Sequence, residues 1–480
     1  MPKLVFLWTD VVLWAMLALL VWYVWRVVSN ANLRATWDKV LRDPAALSAA
    51  LVLIAFAAIT MLDSVHFRRA LANAPTAAAG AATFYAPTTE SLLDVALAAQ
   101  IATRETGYSR PLAFKGFQKE ATERDGKPVR DFPRLKFGGS HLQDPDAQWA
   151  GDVTARVLTG LAGGLVVAGL GVLLSAFLLR RSHEGMRGAL RDIAADRTHI
   201  PVRAALATFA VLCLVAGPMV TLAGHYHVLG TDRTGNDVLY QSLKSVRTAF
   251  VIGTLATMAT LPFAIVLGVL AGYLKGWVDE AIQYVYTTLT SVPNVLLIAA
   301  CVLMVQVYLD QHSDLFETGS ERSDLKIFLL CVILGLTGWA TLCRLIRGET
   351  LKLRELDFVQ AATAFGVSPA RIMARHIVPN VMHLVLITTV LSFSELILYE
   401  AVLTYVGVGV DPSMNSFGGM INLARSQMSG DPVVWWSFIS AFVFMVTLVL
   451  AANLFADGVR DAFDPRSRSF RPRLRRAAIS

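Results

Sequence analysis

The sequence predicts an all-α polytopic membrane protein of about nine transmembrane helices with one small extracytoplasmic domain, and three observations carry that prediction. Of the 480 residues 55% are hydrophobic and only 16% charged, with a mean hydropathy of +0.53. A soluble domain is nearer a quarter charged. The apolar residues collect in runs of roughly 20, enough to cross about 30 Å of hydrocarbon at ~1.5 Å per residue. The basic residues concentrate in alternate loops, so the net charge of +7 reads as a topology signal and not as a nucleic-acid footprint.

Nine runs qualify as spans: Leu4–Trp25, Ala45–Leu62, Leu158–Leu179, Ala204–Leu222, Ala249–Tyr273, Ala281–Leu309, Ile327–Leu345, Leu384–Val406 and Trp435–Phe455. The first is too long for a signal peptide and has no small-residue cleavage site before Arg26, so it is expected to stay as an anchor. Lys and Arg number four in Arg26–Pro44, six in Arg180–Arg203 and five in Ile346–His383, and the C-terminal tail is denser still. The loops 223–248, 310–326 and 407–434 carry few. This alternation places the C-terminus in the cytoplasm and the N-terminus outside.

The stretch 63–157 is too long for the charge rule. Its apolar and aromatic residues (Phe84, Tyr85, Leu92, Leu93, Phe114, Phe117) favour a small folded domain over a disordered insert. Two spans carry glycines four apart, Gly160/Gly164 and Gly268/Gly272, a spacing that lets a neighbouring backbone approach closely. Cys213, Cys301, Cys331 and Cys343 lie in or beside apolar runs, which suggests neither a disulfide framework nor a zinc site.

The segment Gln360–Asn380, "QAATAFGVSPARIMARHIVPN", is too polar for a span and too apolar for an idle loop. Leu351–Phe365 has helix-forming composition, and Gly366 suits a left-handed C-terminal stop. Ser368-Pro369 fits an N-cap followed by the first helical position. Ala370–Ile377 continues as a second helix, and Pro379, lacking an amide donor, ends the pattern. The small residues Ala361, Ala362 and Ala364 make one helix thin enough to enter a partner's groove. An amphipathic loop lying on lipid headgroups accounts for the same spacing, and the residues alone leave both readings open.

Gln360-Ala361-Ala362, Gly366 and the ending "RHIVPN" resemble the EAA loop of ABC importer permeases, in particular the peptide/nickel (dipeptide and oligopeptide) branch. Three further segments agree in order: "HVLGTDRTGNDVLYQSL" (227–243), "AGYLKGWVDEAI" (271–282) and "NLFADGVRDAFDPRSR" (453–468). Together they are most similar to the C-type subunit of the pair that forms such a pore. Gln360 stands where the family usually has an acidic residue, and Asn236 where it usually has Arg.

The resemblance implies a type I ABC permease core over 204–465, formed by the C-terminal six spans, with a coupling loop at 351–380. Two N-terminal helices (1–62), the domain 63–157, a third helix with a cytoplasmic linker (158–203) and a basic cytoplasmic tail (466–480) surround it. It implies a bacterial inner-membrane location with a periplasmic N-terminus, and a subunit that moves peptides or similar small solutes. The partners implied are a second permease subunit in a heterodimer, two cytoplasmic ABC ATPase subunits, an extracytoplasmic substrate-binding protein and membrane lipid. Gln360, Ala361, Ala362, Gly366, Ser368, Pro369, Arg371 and Pro379 would meet the ATPase.

No GxxxxGK[ST] pattern occurs, and the only Gly-Lys pair, Gly126-Lys127, is followed by Pro128, so ATP and Mg belong to partner subunits and no cofactor to this chain. Neither HExxH nor GxSxG is present, so a non-catalytic subunit is expected. Glu395 and Glu400 lie in the eighth span, where a carboxylate costs on the order of 2.5–3.5 kcal/mol at mid-helix and usually faces a cavity or the bundle interior. They are candidates for the translocation path, with a structural bond to a neighbouring helix as the alternative. Asp232, Asp237, Asp411, Ser416 and Phe417 lie in loops that resemble those near a docked binding protein, although caps and turns account for them equally. His225 and His227 lack a third ligand and make a poor metal pair. Two other function classes compete: an ion-coupled secondary transporter, which needs several intramembrane ionisable groups, and a membrane scaffold or sensor that uses the 63–157 domain.

Overall fold

The computed structural model describes residues 2–70, 85–86, 88–124, 127–181, 185–312, 314, 316, 318–430 and 432–463. The basic tail 466–480, Phe84 and Gly126 lie outside these residues. Among the described residues nine helices are long and apolar enough to cross a membrane.

The chain enters through β1 (Lys3–Val5), then α1 (Trp8–Ser29), a surface helix α2 (Ala31–Leu41) and α3 (Pro44–Asp63). The apolar run in the sequence starts the first span at Leu4. The structure starts it at Trp8, because Lys3–Val5 pairs antiparallel with β2 (His66–Arg68), which pairs in turn with β3 (Glu90–Ser91). At the start of α3 the Asp43 side chain accepts from the Ala45 amide and Pro44 fills the first helical position, where no donor is needed.

A head follows, with α4 (Leu92–Ala96), α5 (Ala98–Ala102) and a hairpin of β4 (Glu120–Arg124) and β5 (Lys127–Asp131). Helix α6 (Pro145–Leu179) begins 13 residues before the predicted span. Its 35 residues span about 52 Å, so its first turns project beyond the hydrocarbon into the head.

Helices α6, α7 (Met186–Ala194) and α8 (Val202–Ala223) form a unit whose main outside contact is α3. Gly160 and Gly164 face α8 as their spacing predicts: a Cβ on Gly164 would stand 2.5 Å from the Cys213 carbonyl oxygen. The expected core began at residue 204, but α8 packs on α6 and α3 and not chiefly on the helices after it.

Those later helices are α9 (Val238–Leu274), α10 (Trp277–Ser291), α11 (Asn294–Gln311), α12 (Gly319–Arg354), α13 (Asp357–Ala364), α14 (Pro369–Ile372), α15 (Val378–Val406), α16 (Phe417–Met428) and α17 (Trp436–Phe463). Helices α9 and α12 run parallel in close contact, with Gly268 against Cys343 and Ile346, Gly272 against Thr350, and Gly335 against Ala259. The span expected as one helix over Ala281–Leu309 is instead α10 and α11, separated at Val292-Pro293. Pro293 has no amide to donate and disfavours helical geometry in the residue before it.

The bundle therefore has two ends. The head end carries the described residues of the stretch 64–144, the starts of α1, α9 and α12, and α16. The opposite, elbow end carries α2, α7, α13, α14 and the end of α17.

At the head end Arg247 of α9, only 3% exposed, knots three helices together. Its guanidinium donates to Asp10 (2.6 Å) and to Thr9 (2.9 Å) of α1, and lies 3.7 Å from Asp324 of α12. Thr9 donates to Asp324 through both its amide and its hydroxyl, and His66 of β2 pairs with Asp10 at 2.7 Å. One turn away Lys244 bridges Asp63 at 2.8 Å and Asp94 at 2.9 Å. A buried charge is tolerable only when paired in this way. These pairs fix the N-terminal helices and the head to the helices that follow.

Candidate functional site

The elbow is built by two interruptions. After Arg354 the chain leaves α12, and α13 starts at Asp357. Gly366 adopts φ +73°, with its amide donating to the Thr363 carbonyl and the Val367 amide to that of Ala362. This closing pair of bonds is the one that left-handed helix ends make, and glycine takes that conformation without Cβ strain. Ser368 and Pro369 then start α14 at the expected places, although the Ser368 side chain makes no capping bond.

The expected stop at Pro379 does not occur. A π-turn over Met373–Ile377 joins α14 to α15, and Pro379 falls in the first turn of α15, where a missing amide costs nothing. The wider turn absorbs the proline, and the helix runs on into the span.

One side of the elbow is anchored. Val359, Ile372 and Ile377 are buried in a cluster with Tyr286, Trp339 and Ile346, so the elbow sits on α10, α12 and α15. The other side is free: Ala361, Gly366, Ser368, Pro369 and Arg371 are exposed and Ala362 half-buried. Phe365, at the tip, is 87% exposed. The Gln360 side-chain amide donates to the Glu355 carbonyl at 3.1 Å, across the junction of α12 and α13. An ionised carboxylate could not donate there, which gives the glutamine a structural role that sequence reading did not supply.

Glu395 and Glu400 part company. Glu400 is 1% exposed, accepts from Thr404 at 2.8 Å and has Ser416 beside it, which links α15 to the start of α16. Glu395 is exposed on α15, in a stripe with the exposed Leu391, Leu398 and Val402 and flanked by the half-buried Thr388, Ser392 and Tyr399. A carboxylate on the outside of a span needs a polar surface opposite.

The five loop residues of the head end act locally. Asp232 accepts from the Thr234 and Asn236 amides (2.8 and 2.9 Å) and closes a turn. Asp237 caps α9 through the Leu239 amide at 2.8 Å. Ser416 caps α16, accepting from Gly419 at 3.0 Å, and Phe417 is fully buried. Asp411 pairs with Lys326 at 2.7 Å. Burial favours the neutral form of Asp411, but Lys326 and Ser413 outweigh it and hold the carboxyl below its usual range. Asp232 and Asp411 are the two whose side chains reach the surface.

The histidine pair is split. His225 packs against His141, their ring centroids 4.9 Å apart, whereas His227 lies between Asp237 (2.8 Å) and Glu105 (3.5 Å). Glu105 also accepts from the Lys136, Phe137 and Gly138 amides at 2.9, 2.9 and 3.1 Å. Burial works against both charges. The His227 contact and these amides nonetheless hold Glu105 at about 2, and the two carboxylates raise His227 to about 9. This latch binds the head to the loop before α9. Glu105 and Asp237 lie 132 residues apart, so no spacing could have paired them. Among the described residues no cluster of ligands could hold a metal ion.

A family model described as "Binding-protein-dependent transport system inner membrane component" matches residues 264–469. The oligopeptide transport system permease protein OppC of Mycobacterium tuberculosis (strain H37Rv) is 33% identical over 252 residues, 52% of this chain and 80% of that protein. OppC of Haemophilus influenzae is 30% identical over 243 residues, 51% of this chain and 71% of its own. The glutathione transport system permease protein GsiD of Pectobacterium atrosepticum is 31% identical over 243 residues, covering 51% and 74%. Among solved structures, one of the inward-facing MetNI methionine ABC transporter aligns at a TM-score of 0.34 and 15% identity, over 47% of this chain and 94% of that one.

Proposed function

The chain belongs to the binding-protein-dependent transport inner membrane components, and from that premise we propose that it is the C-type permease subunit of an ATP-driven peptide importer, coupled to its ATPases through the α13–α14 elbow. The observation that carries the coupling role is the two-sided elbow. Val359, Ile372 and Ile377 bind it to the spans, while Phe365 and the surrounding small residues stand free for a partner's groove.

ATP binding can shift a two-state equilibrium only through different affinities for the two states. A short helix pair fixed to α10, α12 and α15 converts closure of a bound ATPase into displacement of those spans. The ATPase is a separate polypeptide in this reading, and it holds the ATP and Mg. This chain itself is non-catalytic.

The basic loops support an elbow end in the cytoplasm and a head end outside, with the C-terminus inside and the N-terminus in the periplasm. A second, similar permease subunit would lie against the exposed stripe of α15 that holds Glu395, so that this carboxylate lines the path between them. Glu400, buried beneath, would support the mouth of that path, where Ser416 at the start of α16 lies beside it. The break at Pro293 is flanked by Ser291 and Asn294 and has no ionisable group, so it gives no support to ion-coupled transport.

Purification of the tagged chain from its native membranes tests the reading. Recovery of an ATPase pair and ATP-dependent peptide uptake by the reconstituted assembly are expected. Recovery of a folded permease without any ATPase would refute it.

A further inference from the structure

At the head end a cleft of about 690 Å³ opens between residues of the stretches 105–120 and 133–136 on one side and Arg233, Ser426 and Gln427 on the other. Three exposed basic side chains line it, Arg134, Lys136 and Arg233, and three more exposed ones, Arg104, Arg110 and Lys119, lie next to or over residues of the lining. Among the described residues none of the six forms an ion pair with a carboxylate. Arg104 and Arg134 donate to the carbonyls of Thr234 (2.8 Å) and Leu142 (2.5 Å). Arg110, Lys119 and Lys136 lie over the faces of Phe117, Phe132 and Phe137 at 5.1, 5.5 and 5.1 Å. Of the carboxylates lining the cleft, Glu105 is buried against His227, which leaves Glu120 alone against Arg134, Lys136 and Arg233.

Membrane topology does not explain this concentration. The positive-inside rule governs short loops near span ends and exempts extramembrane domains. Six cations around one cleft also repel one another, so they weaken the fold that holds them. What they do produce is a positive potential focused by the cleft walls, which attracts a partner of opposite charge. The site is composite: Ser426 and Gln427 lie within the family match at 264–469, whereas the segment 105–136 lies outside it. A protein seated in this cleft touches the family core and the basic segment together. A concave, two-walled site suits a protruding acidic loop or helix end better than a planar sheet of lipid headgroups.

We propose that this cleft is the docking site for the soluble substrate-binding protein, and that the binding protein presents a cluster of Asp and Glu side chains to it. The proposal rests on the importer reading above. It assigns to the head a function in partner capture.

The test uses the whole transporter, with both permease subunits and its ATPases, in nanodiscs, together with purified binding protein. Association and dissociation rates are measured for the wild type, Lys136→Glu, Arg233→Glu and the double variant. Neither side chain forms a hydrogen bond or ion pair among the described residues, so assembly and basal ATPase activity are expected to be unchanged. The double variant should associate about tenfold more slowly at ~0.05 M salt, with the difference fading above about 0.5 M as screening sets in. Replacing the acidic cluster on the binding protein by Lys should restore the rate with the double variant.

Unchanged association rates, in an assembly whose wild type binds, overturn the cleft and leave the importer reading standing. The cleft is equally overturned if the double variant loses only affinity for anionic vesicles, or only uptake of acidic peptides. If the wild-type assembly binds no such protein at all, the importer reading fails and the cleft fails with it.

Discussion

Replacing Gly366 separates two reasons for which a glycine could stand at the elbow. One is the left-handed stop that the sequence suggests, the other the room that a bulky side chain would take from the joint. The structure favours the first, because a Cβ built on Gly366 meets nothing within 4 Å, while the backbone sits at φ +73°. The cost is therefore conformational, about 1–2 kcal/mol for a residue with a Cβ, which lowers occupancy of the turn by a factor of roughly 5–30. It should be nearly the same for alanine as for leucine, and smaller for asparagine, which tolerates the left-handed region. ATP-dependent peptide uptake into proteoliposomes, at matched levels of inserted protein, should fall at least about fivefold for Gly366→Ala and Gly366→Leu and less for Gly366→Asn. Wild-type uptake by the alanine variant, with loss only for leucine, would show that a partner's surface and not the turn selects the glycine. Wild-type uptake by the leucine variant would remove the elbow from the coupling mechanism.

Three further outcomes follow from the packing. The stabilisation from His227 is complete below about 6.5, its usual value, and is lost as pH rises through about 9; that from Glu105 is complete above 4.5 and is lost as pH falls through about 2. The latch is thus firmest between about 4.5 and 6.5. Hydrogen-exchange protection of residues 136–138, corrected for intrinsic rates, should decline as pH rises through about 9, and a flat profile would contradict this. Gly217→Ala would place a Cβ 2.2 Å from the Gly160 carbonyl oxygen, so α6 and α8 must part, at a cost of about 1–3 kcal/mol in detergent unfolding assays. Arg247→Ala strands Asp10 and Asp324 without their cation and should cost on the order of 3–5 kcal/mol in the same assay, an effect that unchanged stability would disprove.

Much of this was legible in advance because a membrane span writes itself locally. About 20 apolar residues suffice to reveal one, and the glycines at 160, 164, 268 and 272 announced close helix contacts that the structure contains. Gly366 and Pro369 likewise marked the elbow, since special backbone conformations depend on the residue that adopts them. Pro379 misled because a proline reads as a stop in isolation but is harmless in the first turn of a helix. Pro293 was overlooked inside an apolar run, where hydropathy does not register a missing donor.

The charged residues of the head end were the least legible. Arg247, Asp10 and Asp324 come from three helices, and Glu105 meets His227 across 122 residues. Local spacing carries no information about such pairs. Glu400 showed the opposite difficulty: its burial was predictable, but its neighbours Thr404 and Ser416 were not.

The Arg247 knot has a mechanical consequence. It clamps α1, α9 and α12 at the end far from the elbow, so those helices have a fixed pivot. From Arg247 to the end of α9 at Leu274 is about 40 Å. A push of ~5 Å at that free end would then appear as a tilt of about 7° about Arg247, with little sliding. The stroke delivered at one membrane face would be spent as rotation, and α1 would turn with the lever because the same arginine holds it.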